Sequence, residues 1–145
     1  MSKIKLIQGG NFYDERGVLS FINEFNEQIK RFYLIENFKK EYIRAWHGHK
    51  NEKKIMYCVD GVFKICLVKV DNFSKPSKDL EIEKYILSAA KPSILIIPGG
   101  YANGLQNLKS NSKLLIFSNK SLEESKTDDY RYQFDFWNPW EPSFY

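Results

Sequence analysis

With 145 residues and a mass of 17.1 kDa, the chain has the size of one domain with a real core, so a single domain over 1–145 is expected. Hydrophobic residues at 43% and aromatics at 16% exclude a disordered chain and favour strand-rich packing. The net charge of +4 comes from dispersed lysines without a long basic run, which argues against nucleic acid as a partner and suits an anionic ligand such as a diphosphate.

Residues 1–6 alternate polar and apolar and then meet Gly9-Gly10. They lack the apolar core of a signal peptide, and no run along the chain is long enough to span a membrane. A cytoplasmic protein without membrane attachment is the expectation, and Cys58 and Cys66, set in apolar segments, read as small buried hydrophobes.

Residues 3–7 read as a first strand. Gly9-Gly10-Asn11 is expected to turn the chain, and Asp14-Glu15-Arg16-Gly17 makes a tight turn before an alternating strand over 18–22. A β-rich run over 29–35 and a lysine-rich loop lead to Ile43-Arg44-Ala45-Trp46-His47-Gly48-His49-Lys50, which holds the only two histidines of the sequence. The charged patch over 50–54 is expected to be an exposed turn. Two β-rich runs, 55–59 and 62–70, flank Asp60-Gly61 and predict a hairpin, because that dipeptide tolerates the positive φ of a type I′ turn.

After a loop over 71–79, strands are expected near 82–87 and over 93–97, the latter stopped by Pro98-Gly99-Gly100, and a last core strand over 113–118. Residues 122–129 are polar and fit a short helix or a loop. The aromatic, proline-broken end over 134–140 reads as packing across a sheet face or against a second subunit. Many short strands, glycine turns and almost no helix predict an all-β sandwich or jelly-roll barrel.

Side chains at i and i+2 of an extended segment share a face. His47 and His49 therefore project together, as a metal half-site or as an acid/base pair. Strict alternation sends Arg44 to the opposite face, so it joins them only if the strand bulges.

A jelly roll with His-x-His on one strand resembles the cupins, and both cupin motifs can be laid on this chain. In the first, His47, His49 and the closing Gly61 are present while Lys54 stands where a carboxylate ligand belongs. In the second, Pro98-Gly99-Gly100-Tyr101-Ala102-Asn103 keeps the frame but has Asn103 for the histidine. Two imidazoles, an amide and an ammonium group are a poor set for a transition metal, which wants three or four His, Cys or carboxylate ligands. No metal and no cofactor are expected, and neutral imidazoles near cations suit abstraction of a proton beside a carbonyl.

The same residues resemble the metal-free cupins that remodel nucleotide-linked 4-keto-6-deoxysugars. Asp14-Glu15-Arg16-Gly17 looks like the opening shared by the dTDP-4-dehydrorhamnose 3,5-epimerases and the dTDP-sugar 3,4-ketoisomerases. Arg44-Ala45-Trp46-His47, Lys54 and Pro98 to Gly104 are similar to epimerase motifs, whereas Arg31-Phe32-Tyr33 and His47-Gly48-His49-Lys50 are similar to ketoisomerase motifs. The tyrosine that epimerases carry after the last core strand is replaced here by Ser118-Asn119-Lys120-Ser121.

The resemblance implies a cytoplasmic homodimeric isomerase with a cupin jelly-roll barrel and a nucleotide-diphosphate sugar as substrate. In it His47 would be the base, His49 would assist, and Lys54 with Arg44 would stabilise the oxyanion. Arg16 would meet the diphosphate, and Tyr33, Tyr101 and Asn103 would contact the sugar. Epimerisation at C3 or C5 is the first expectation. A 3,4-ketone shift and a non-catalytic sugar-nucleotide binder are the alternatives.

Overall fold

In the computed structural model residues 3–140 are described; the first two and last five residues of the expected 1–145 domain lie outside the described residues. The strands are β1 (Lys5–Gln8), β2 (Gly10–Asp14), β3 (Gly17–Phe21), β4 (Arg31–Asn37), β5 (Ile43–His49), β6 (Lys54–Asp60) and β7 (Val62–Lys69). They continue with β8 (Ile82–Ser88), β9 (Ser93–Ile97), β10 (Tyr101–Asn107), β11 (Ser112–Ser118) and the two-residue β12 (Tyr130–Arg131). One helical turn, α1 (Leu122–Lys126), precedes β12.

Two five-stranded antiparallel sheets result, ordered β1-β9-β6-β11-β4 and β12-β5-β10-β7-β8, with β2 and β3 forming a separate ribbon. This is the all-β, two-sheet jelly-roll arrangement expected of a cupin. Sequence neighbours β6 and β7 turn at Asp60-Gly61 into different sheets, so the predicted turn is real but the two runs do not pair with each other. Gly61 has φ +74° and a Cβ there would collide with the Ser112 side chain, so the position demands glycine.

Apolar residues of β6, β7, β9 and β11, including Met56, Ile65, Leu95 and Leu114, fill the space between the sheets. On the outer face of the second sheet, Trp46 packs with Trp137 and Trp140, which places the carboxyl-terminal aromatics over a sheet of their own chain. The Trp46 indole N–H donates to Phe134 O and Trp137 O, both at 3.0 Å, so the large ring is polar-satisfied while buried.

Two expectations need correction, and one strand goes beyond them. Gly10 and Asn11 start β2 instead of turning the chain, because they pair with Phe21 and Ser20 across the ribbon. Residues 101–107 form β10, a strand whose polar residues Asn103, Gln106 and Asn107 are buried. The patch over 50–54 is an exposed bend only at Lys50 and Asn51: Glu52 is 2% and Lys54 8% exposed, since Glu52 meets partners from three other segments and Lys54 begins β6.

Candidate active site

Between the open ends of the sheets lies a cavity of about 770 Å³. Its walls come from strands in opposite sheets. β5 and β10 supply Arg44, His47, His49 and Asn103, while β4 and β6 supply Arg31, Tyr33 and Lys54 across from them. Leu122, Ser125 and Lys126 of α1 and Arg131 of β12 close one side.

Arg44 reaches this space because β5 is bulged. Against β10, Asn103 is opposite His47 but Leu105 is opposite Arg44, so three steps on β5 match two on β10. One extra residue between Arg44 and His47 shifts the alternation, and Trp46 turns outward to its aromatic cluster while Arg44, His47 and His49 all line the cavity. Arg44 is then oriented by Nε donating to Asn37 Oδ1 at 2.7 Å, with Asn37 itself donating to Asn107 Oδ1 at 3.1 Å.

The two imidazoles differ. His47 is partly exposed to the cavity, and burial, with Lys54 and Arg131 nearby, pushes its pKa down to about 4. His49 is 6% exposed, and its Nδ1 lies 2.8 Å from the Asp128 main-chain oxygen and 3.4 Å from Glu52 Oε1. Both neighbours can only accept, so Nδ1 carries the proton and Nε2 keeps the lone pair. That Nε2 is buried with no hydrogen-bond partner among the described residues. Burial and Lys54 lower the His49 pKa, while the Asp128 carbonyl and the Glu52 charge pull it part of the way back.

Lys54 Nζ sits 5.8 Å from the centre of the Tyr33 ring, and the Arg31 guanidinium 5.2 Å from the same ring. Arg31, Arg44, Lys54, Lys126 and Arg131 make the lining cationic, with Asp129 the one carboxylate among the described lining residues, and it pairs with Arg131 at 3.2 Å. Such a cavity can take up an anion, keep two imidazoles neutral as bases, and stabilise an oxyanion. Among the described residues no three His, Cys, Asp or Glu side chains converge as metal ligands, and no helix is long and apolar enough to cross a membrane.

Of the residues singled out from sequence, His47, His49, Lys54, Arg44, Tyr33 and Asn103 are brought together. Arg16 is not. Its side chain is 83% exposed at the tip of the β2–β3 ribbon and pairs with Asp14 at 2.6 Å. Tyr101 is also absent from the lining, for it packs on the inner core, where burial and then Glu83 raise its pKa. Sequence reasoning passed over Glu52, Asp128 and Arg131. Asp128 receives the backbone N–H groups of Lys50, Asn51 and Glu52 at 2.6, 2.9 and 2.9 Å, contacts between segments nearly 80 residues apart that leave no local pattern.

The family described as "FdtA: WxcM-like, C-terminal" matches residues 2–138. Over 126 residues the chain is 23% identical to the spore coat polysaccharide biosynthesis protein SpsL of Bacillus subtilis, covering 84% of this chain and 82% of that protein. Among solved structures, the dTDP-4-dehydrorhamnose 3,5-epimerase of Bacillus anthracis, with TDP and PPi bound, superposes with a TM-score of 0.79 at 19% identity, covering 97% of this chain and 86% of that one. The sugar 3,4-ketoisomerase QdtA of Thermoanaerobacterium thermosaccharolyticum, in complex with TDP, gives 0.69 at 24% identity and coverages of 92% and 90%. The TDP-quinovose 3,4-ketoisomerase WlaRB of Campylobacter jejuni gives 0.70 at 22%, with 94% and 98% covered. These likenesses establish the fold.

Proposed function

The chain belongs to the FdtA, WxcM-like C-terminal family, and from that premise we propose that it is an isomerase of a nucleotide-diphosphate 4-keto-6-deoxysugar that works by proton transfer beside the ketone. The observation that carries the reading is the pair of imidazoles on β5, both lining a cationic cavity and both with lowered pKa. The epimerases and ketoisomerases of the same fold, with TDP bound in two of them, support the substrate class.

A shift of the ketone from C4 to C3 fits this geometry best. His47, the ring open to the cavity, takes the C3 proton, and the electron pair moves into the C3–C4 bond and onto O4. Lys54 and Arg44 stabilise that enolate oxygen. His49, with its proton held on Nδ1 and its lone pair on Nε2, assists the transfer of the O3 proton to O4. Return of the carbon-bound proton to C4 leaves the ketone at C3, so no atom is lost and no oxidant is needed.

Epimerisation at C3 or C5 is the second reading. It is favoured by Tyr33, which lines the cavity from the sheet opposite the histidines, the side from which an acid would reprotonate the other sugar face. The motif support for that reading is weakened by Tyr101, which packs in the core instead of the cavity.

Incubation with dTDP-4-keto-6-deoxyglucose in deuterated water, followed by mass and NMR analysis, separates the readings. A 3-keto product is expected. Deuterium at C3 or C5 with the 4-ketone retained would favour epimerisation, and no exchange with several nucleotide sugars would leave a non-catalytic binder. His47→Asn should keep the fold and lose turnover by roughly 10²–10⁴-fold, the usual worth of a general base; unchanged turnover would remove His47 from this role.

We further propose a cytoplasmic homodimer joined through the β2–β3 ribbon. The ribbon pairs with neither large sheet, and Phe12, Tyr13, Val18 and Leu19 on it are exposed. Arg16, remote from its own cavity, would then serve the diphosphate bound to the second subunit.

A further inference from the structure

Glu52 has a side chain with no solvent exposure, an expensive place for a carboxylate unless every oxygen is paired. Here both oxygens are. Ser118 Oγ donates to Oε2 at 2.6 Å and Ser125 Oγ donates to Oε1 at 2.7 Å. Arg31 Nη2 donates to Oε2 at 3.2 Å and to Ser125 Oγ at 3.1 Å, and His49 Nδ1 stands 3.4 Å from Oε1. Four segments therefore meet on one buried charge: β4, the end of β5, the end of β11 and α1. Three of those partners, Arg31, His49 and Ser125, line the cavity, whereas Glu52 does not.

A core that needed only to be filled would place an apolar side chain here, and breaking such a set by removing one member is far costlier than never building it. The arrangement matches the logic of an oriented base, in which a buried carboxylate holds the far nitrogen of an imidazole and favours the imidazolium when the near nitrogen takes a proton. We propose that Glu52 is the positioning residue of this site: from behind the wall it holds the Arg31 guanidinium, pins α1 against the cavity and sets its charge beside the His49 ring, whose Nδ1 is hydrogen-bonded to Asp128 O at 2.8 Å, without touching substrate. This rests on the isomerase reading for its catalytic consequence, but the positioning itself is testable without turnover.

The groups facing His49 are Lys54 from β6, which disfavours its protonation, Glu52 and Asp128, which favour it, and His47 on the same strand. Arg31 stands on the far side of Glu52. Burial would raise the carboxyl pKa of Glu52, but the Ser118 and Ser125 hydroxyls and the Lys54 and His49 charges outweigh it and keep the group anionic. Loss of that anion therefore lowers the proton affinity of His49.

The two-histidine sequence makes the measurement direct, because His47→Asn leaves His49 as the single imidazole. In that background, NMR titration should show the His49 midpoint moving to lower pH in Glu52→Gln and by a smaller amount in Glu52→Asp, which keeps the charge but withdraws it. In the chain with both histidines, Glu52→Gln should reduce kcat by tenfold or more, with KM within about threefold. An unchanged His49 midpoint in folded Glu52→Gln overturns the proposal; should that variant not fold, an unchanged midpoint in Glu52→Asp does the same. If the wild-type protein turns over no nucleotide sugar, the isomerase reading fails while the midpoints still decide the role of Glu52.

Discussion

Lys54 acts on both histidines at once. Its charge is among the causes that lower the pKa of each, after burial, and it sits where a metal-binding cupin would need a carboxylate. With His47 held near 4, the base proposed for this reaction would stay neutral across the physiological range, and kcat/KM should be flat down to about pH 5. Lys54→Met should move the acid limb upward, because the imidazolium is no longer opposed. It should also cost roughly 10²-fold in kcat, as expected for one lost oxyanion stabiliser. An acid limb that stays in place would remove Lys54 as a tuner of the base. The same shift has a stability consequence with a definite sign. The folded His47 pKa lies below the unfolded value of 6.5, so the unfolded chain binds the extra proton first, and stability complete above that value is lost progressively as pH falls toward 4.

At the scale of elements, the active face of β5 depends on what covers its other side. The bulge that turns Arg44 inward also turns Trp46 outward, where Trp137 and Trp140 hold it. Gly104 on the neighbouring β10 lies directly under Trp140, and a Cβ there would come within 2.6 Å of Trp140 Cζ2. Gly104→Ala should therefore push the tryptophan off and lower stability by about 1–3 kcal/mol, the usual cost of overpacking. A melting temperature equal to wild type would show that the aromatic lid yields freely. Elements with a local signature were legible in the sequence: the Asp60-Gly61 turn, the apolar run before Pro98, the polar stretch that becomes α1. The strand β10 was not, because it buries Asn103 along its length and Gln106 and Asn107 at its end, and the partners of those last two are supplied by the fold. The histidine pair could be found by its spacing, and Lys54 and Asn103 through the resemblance to the cupin motifs. Glu52 could not, for a Glu among lysines looks solvated, and the serines that satisfy it stand 66 and 73 positions away.

For the molecule as a whole, the ribbon and one sheet edge leave apolar side chains uncovered. The β2–β3 ribbon exposes Phe12, Tyr13, Val18 and Leu19, and the edge strand β4 exposes Phe32 and Leu34. A two-stranded ribbon is marginally stable by itself in water, and apolar groups gathered this way mark an interface. In the dimer proposed above, a second copy would also account for Arg16, since closed two-fold symmetry would let each ribbon reach the other subunit's cavity. Sedimentation at micromolar concentration should give twice the mass of 17.1 kDa, and Phe12→Asp with Leu19→Asp should give a less stable monomer. Complementation tests the shared site more sharply. Arg16→Ala and His47→Asn chains should each be impaired alone. When they are mixed, unfolded and refolded together, half of the dimers pair one chain of each kind, and one of the two sites in such a dimer has both residues intact. About a quarter of wild-type activity should return if Arg16 acts across the two-fold axis. No gain on mixing would return Arg16 to a role within the ribbon, where it already pairs with Asp14.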